Sequence, residues 1–185
     1  MPTPSRSNFA FHAIFVLYAT RELGIRPGVL GAILGAGAFG ALLGALVAPR
    51  VEELIGIGPS YVAGAILFPA PLLLVPLAGG PRPLVAAALF TAEFLGGIGV
   101  MLFDVAGNSL ALLLTPHRLR ARAGGTNRFV NYGVRPIGAL VGGALGSAIG
   151  LRPTLWIATA GALLGVLWLL PSPTPRLRER PAQAG

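Results

Sequence analysis

The chain contains no cysteine, no lysine and few charges of either sign. Without cysteine there is no disulfide framework, no thiolate metal site and no cysteine nucleophile. The two histidines, His12 and His117, lie far apart, so no histidine-based metal cluster is expected, and no cofactor is called for. Catalytic signatures are missing as well. No GxSxG, GxxxxGK[ST] or HExxH occurs, and the many glycine pairs fall in apolar runs rather than at strand-to-helix turns. No nucleophile, base and orienting group can be assembled, so an enzyme is not expected. Charged residues make up only 11% of the chain, against roughly 25% in a soluble domain. The net charge of +8 does not point to nucleic acid, because readers of nucleic acid place basic residues on one solvated, otherwise polar face.

What is present is a set of apolar runs that supply most of the 54% hydrophobic content, punctuated by 14 arginines. A helix needs about 20 apolar residues to cross the hydrocarbon core. Measured between charged or Pro/Gly-rich breaks, six runs qualify as candidates, at roughly 8–20, 28–48, 59–78, 84–112, 124–149 and 153–170. The expected fold is all-α, a polytopic bundle of six transmembrane helices in one domain over 1–175. A short basic tail follows at 176–185. The first run is too short to span unaided, which suggests a truncated first helix, and the fourth extends past the membrane surface. The opening MPTPSRSN followed by FAFHAIFVLYA imitates a secretory signal, but no clear A-x-A site follows.

Orientation follows from the arginines. With both termini in the cytoplasm, that side receives Arg6, Arg50, Arg118, Arg120, Arg122, Arg176, Arg178 and Arg180. The other side receives Arg21, Arg26, Arg82 and Arg152. The positive-inside rule favours this arrangement, with a cytoplasmic C-terminus in the cell (inner or plasma) membrane.

Glycine is used for packing. Gly31 with Gly35 and Gly40 with Gly44 form small-xxx-small pairs in the second run, and Gly138, Gly142, Gly146 and Gly150 recur every four residues in the fifth. Such stripes let helix backbones approach where no hydrophobic force drives association. Pro69, Pro71 and Pro136 kink or break their helices, which a membrane bundle tolerates where neighbours satisfy the freed carbonyls.

Ionisable groups inside such runs are costly, on the order of 2.5–3.5 kcal/mol each at the bilayer centre, so they face protein or water. Glu93 and Arg135 both fall near mid-depth. On the fourth run Glu93, Gly97, Asp104 and Asn108 share one helical face. On the fifth, Asn127, Asn131 and Arg135 follow at intervals of four, with Arg128 beside them. Asn8 and His12, one turn apart on the first run, extend the same polar set, although a lone histidine also serves as a hydrogen-bonded structural residue. Two readings stand. In one, Glu93 with Arg135 and Asp104 with Arg128 are interhelical bonds that hold the bundle. In the other, these groups line a polar path. Burial and a neighbouring guanidinium act in opposite senses on a carboxylate's hold on its proton, so breaking such a pair during motion would itself move a proton. Glu93 is the better candidate for that role. Asp104, nearer the cytoplasmic end, fits a structural role. Trp156, Trp168 and Tyr61 lie towards run ends, as an aromatic belt requires.

Three stretches, FVLYATRELGIRPGVLGAILGAGAFGALLGALVAPR (15–50), TPHRLRARAGGTNRF (115–129) and RPIGALVGGALGSAIGLRPTLW (135–156), cover most of the chain. Together they resemble the C-terminal half of the major facilitator superfamily, in its branch of bacterial multidrug and siderophore exporters. The resemblance implies that the six runs correspond to helices seven to twelve of a twelve-helix exporter. Substrate would bind near mid-membrane between two halves that rock against each other. It also matches Arg50 to the basic residue of the G-x-x-x-D-R-x-G loop motif, and Arg122 and Arg128 to basic positions with cytoplasmic gating or packing roles. The departures are Ala45 for the motif's glycine, Pro49 for its aspartate, and Glu52 and Glu53 in a stretch usually basic. The implied function is proton-coupled efflux of drugs or small metabolites by alternating access. The lipid bilayer and a small-molecule substrate are the expected partners, with a missing N-terminal half or a second copy as the other wall. The alternative is a non-transporting membrane fragment or helix-docking module.

Overall fold

The computed structural model describes residues 15–114, 125, 138 and 140–169. Among these there is no strand, and nearly all of them are helical. The elements are a π-helical turn at Tyr18–Glu22, α1 (Pro27–Ile55), α2 (Ile57–Leu67), a 3-10 turn at Pro71–Leu73, α3 (Leu74–Leu77), α4 (Arg82–Leu114), α5 (Leu140–Ile149) and α6 (Leu151–Leu169). Among the described residues three stretches are long and apolar enough to cross a membrane: Pro27–Ile55, Ile57–Leu77 and Arg82–Leu113. Two shorter apolar helices lie at Leu140–Ile149 and Leu151–Val166. The six-span count depends in part on residues outside the described set.

α1 starts cleanly because Pro27 occupies its first turn, where no amide is needed, behind an extended Arg26. It ends later than the apolar pattern suggests. The sequence places a break from Pro49 to Pro59, yet the helix runs through Pro49 and Arg50 to Ile55. Pro49 costs one backbone bond, but the helix resumes with Glu52 buried, and the Gly56 amide closes on the Glu52 carbonyl at 2.9 Å. Gly56, at φ 92°, then turns the chain directly into α2, a conformation that favours glycine. The Ser60 hydroxyl donates to Gly56 O at 2.7 Å and steadies that start.

The second apolar span is broken as its prolines require. Pro69 and Pro71 lack amides, so the α ladder gives way to shorter bonds, Leu72 N–H to Pro69 O and Leu73 N–H to Ala70 O, each 3.2 Å. The chain then continues through the 3-10 turn into α3.

α4 lies between α1 and α2, and glycines on all three helices set the distance. At Gly40 an added Cβ would overlap the Phe94 carbonyl, and at Gly97 it would overlap that of Gly37. At Gly44 it would lie 2.7 Å from Ile98 O. On the opposite side Gly64 abuts the backbone of Leu102 and Phe103, and Gly99 abuts Leu67 and Phe68. Tyr61 stacks on Phe103 with centroids 4.5 Å apart. These are backbone-to-backbone seams of the kind membrane helices use. Phe15, Tyr18, Ile33, Val75, Leu89 and Leu155 form the main buried cluster, which ties the π turn, α1, α3, α4 and α6 together. Arg152, at the start of α6, donates from Nε to the Pro76 carbonyl at 2.8 Å. Large apolar side chains point outward instead, Leu54 at 84% and Leu140 at 75% exposure among them. Small residues at the helix seams and large apolar ones on the outer surface are what a lipid solvent selects.

Candidate functional site

Glu93 sits mid-way along α4, only 6% exposed, on the side that meets α1. Space for its carboxylate comes from Gly37, where a Cβ would stand 3.0 Å from Glu93 Oε2. The carboxylate borders a partly open recess of about 370 Å³ between α1, α4 and the broken second span. Gly37, Gly96 and Gly97 leave the recess open, while Leu34, Phe68, Leu72 and Val100 give it an apolar wall.

The rest of the expected polar stripe separates from Glu93. Asp104 and Asn108 share its nominal face but are exposed. The α1 side of α4 runs instead through Phe94, Ile98 and Met101 to Ser109. The companion stripe, Asn127, Asn131 and Arg135, lies outside the described residues, as do His12, Arg122 and Arg128, so the expected pairs Glu93–Arg135 and Asp104–Arg128 fall there too. Arg50, expected in a loop, is an exposed residue within α1, because the helix does not end at Pro49.

The glycine calls divide in the same way. Gly40 and Gly44 are buried in the α1–α4 seam, whereas Gly31 and Gly35 are exposed, with nothing within 4 Å of an added Cβ. Gly142 is buried and Gly138 half-buried. A Cβ at Gly146 would meet Leu151 Cδ2 at 3.1 Å. Gly150 does not continue that stripe, because at φ 91° it forms the turn between α5 and α6.

Two polar contacts were not read from the sequence. Glu52, taken only as a departure from a loop motif, is 7% exposed. Ser109 Oγ shares its proton between Glu52 Oε2 at 3.1 Å and Oε1 at 3.2 Å, joining the ends of α1 and α4. The signal was available, since Gly40, Gly44, Ala48 and Glu52 are buried at intervals of four on one face of α1. Arg152, counted only as a loop charge, is the second.

The Major Facilitator Superfamily model matches residues 6–185, nearly the whole chain. The chain belongs to the Major Facilitator Superfamily. No curated protein and no solved structure gave a match. Membership accounts for the apolar helices and the outward-facing large side chains, and it makes this a membrane protein of transporter type. Members of the superfamily are transporters rather than enzymes. For a facilitator chain, a carboxylate buried at mid-helix beside a recess is the feature to explain first.

Proposed function

We propose that the chain forms one wall of a proton-coupled exporter of drugs or small metabolites, working by alternating access in the cell membrane, with its C-terminus in the cytoplasm. The single observation carrying this reading is Glu93, a carboxylate 6% exposed at mid-helix, lodged against Gly37 and bordering a recess. A purely structural seam needs no such group, because α1 and α4 already meet through Gly40, Gly44 and Gly97. A carboxylate there is retained at a cost, which in membrane proteins marks ion and substrate paths. The opposite wall is supplied by an N-terminal half or by a second copy of the chain, and the bilayer and a small-molecule substrate are the other partners. The proposed domain remains one six-helix unit over 1–175, followed by a basic cytoplasmic tail.

The test is dye efflux by cells expressing the chain, with ethidium as the probe and a protonophore as the control. Uncoupler-sensitive efflux that is lost in Glu93→Gln at equal membrane abundance is the expected result. Unchanged efflux by that variant would remove Glu93 as the coupling site. The docking-module reading draws on Gly31 and Gly35, which are exposed with open space around them. It requires that bulky substitutions there, rather than at Glu93, abolish function.

A further inference from the structure

Four arginines gather at the end of the bundle opposite Glu52. Arg21 lies in the π turn, Arg26 immediately precedes α1, Arg82 opens α4, and Arg152 is the second residue of α6. The main buried cluster draws these element ends together through Tyr18, Ile25, Val75, Val85 and Leu155. All four arginines are exposed, and Glu22 is the one acid at this end among the described residues, so four positive charges against one negative leave a surplus of three. Arg152 is the member of this set whose position is fixed. Its Nε donates to the Pro76 carbonyl at 2.8 Å, which holds the guanidinium in the notch between α3 and α6. The remaining N–H donors of a guanidinium form a planar fork that matches phosphate geometry. Apolar side chains flank that fork. Leu77, next to Pro76, is 58% exposed, and Trp156, one helical turn from Arg152 on the same face of α6, is 39% exposed.

In a membrane this juxtaposition fits a ligand with an anionic head and an apolar body. A free inorganic anion satisfies the guanidinium but leaves Leu77 and Trp156 uncovered, whereas a phospholipid satisfies both. Indole rings favour the headgroup level of a bilayer, and basic pockets between membrane helices bind anionic head groups. We propose that the notch between α3 and α6 holds an anionic phospholipid, its phosphodiester oxygens accepting from the Arg152 guanidinium and its acyl chains lying along Leu77 and Trp156. Arg21, Arg26 and Arg82 supply the surrounding positive field, which favours a head of net negative charge over a zwitterionic one. The lipid is a partner of the fold and not a transported substrate. The site is therefore independent of the proposed export, of its proton coupling and of the leaflet that this end faces.

The experiment uses the purified full chain carrying Trp168→Phe, so that Trp156 is its one tryptophan. Trp168 lies twelve residues further along α6, about 18 Å from the notch, and would otherwise report on a different depth. The chain is reconstituted in phosphatidylcholine vesicles holding a minor share of brominated phosphatidylglycerol, or the same share of brominated phosphatidylcholine, and quenching of Trp156 is compared. Quenching that corresponds to about fivefold local enrichment of the anionic lipid is expected, the factor a single arginine contributes near an anionic head group. Arg152→Gln should bring the two lipids to parity, whereas Arg50→Gln, which removes an equal charge at the other end of α1, should leave the preference in place. Circular dichroism confirms helical content in each variant. Equal quenching by the two lipids with Arg152 intact overturns the proposal without reference to any further variant. Retention of the preference in Arg152→Gln overturns it too. Loss of the preference in phosphate buffer, but not in sodium chloride of equal ionic strength, would assign Arg152 to free phosphate and overturn the lipid.

Discussion

Alanine at Gly35 and alanine at Gly40 should change the stability of this chain in opposite directions, although both sit in α1 five residues apart. In either case alanine replaces glycine in a helix interior, which is intrinsically favourable by about 1 kcal/mol. At Gly35 nothing lies within 4 Å of the new methyl group, so that gain stands alone. At Gly40 the methyl overlaps the Phe94 carbonyl, with Phe94 C at 3.0 Å and Cα at 3.2 Å. These are backbone atoms of α4, which no rotamer change can clear. The helices must separate, and the seam continuing through Gly44 and Gly97 loosens with them. Overpacking of this kind costs typically 1–3 kcal/mol, and loss of the close approach adds to it. Net destabilisation of about 1–2 kcal/mol follows, against stabilisation of up to about 1 kcal/mol for Gly35→Ala. The assay is reversible unfolding in mixed micelles by titration with a denaturing detergent, followed by tryptophan fluorescence and far-ultraviolet dichroism. If Gly40→Ala were as stable as Gly35→Ala, the α1–α4 seam described here would be wrong.

Ser109→Ala leaves the buried Glu52 carboxylate without its hydroxyl donor and should destabilise the chain by about 1.5–3 kcal/mol. A double-mutant cycle with Glu52→Gln in the same titration should show coupling, and strict additivity would refute the contact. Arg152→Ala removes the bond to the Pro76 carbonyl and should cost about 1 kcal/mol, reduced by the exposure of Arg152, with faster hydrogen exchange in α3 as the local readout. Gly56→Ala forces a side chain into φ 92° and should cost about 1–3 kcal/mol, measured alongside Gly58→Ala, whose glycine lies within α2.

The fold class was legible because hydropathy over some twenty residues is insensitive to local detail. Helix ends were less so. Pro49, Arg50, Glu52 and Glu53 look like a loop by composition, yet the helix continues because Ala48 and Glu52 lie on the face that already buries Gly40 and Gly44. Tertiary burial outweighed one missing amide. Glu93 could be found from its cost in an apolar run, but the surroundings that matter to it could not. Gly37, Gly96 and Phe68 come from two helices and a proline break, and no spacing along α4 encodes them. Asp104 was placed with Glu93 by the helical period, yet it is exposed, and Ser109 carries the contact with α1 at that end of α4.

The same seams constrain how any motion of this chain can work. α4 is held at backbone distance by α1 through Gly40, Gly44 and Gly97, and by α2 through Gly64 and Gly99. Close-packed backbones of this kind are bistable at best and do not slide by fractions of a turn. Any motion that keeps these seams intact carries the three helices as one body. Glu93 travels with them, fixed against Gly37. Its surroundings change only through what lies outside the α1–α2–α4 unit or enters the recess beside it.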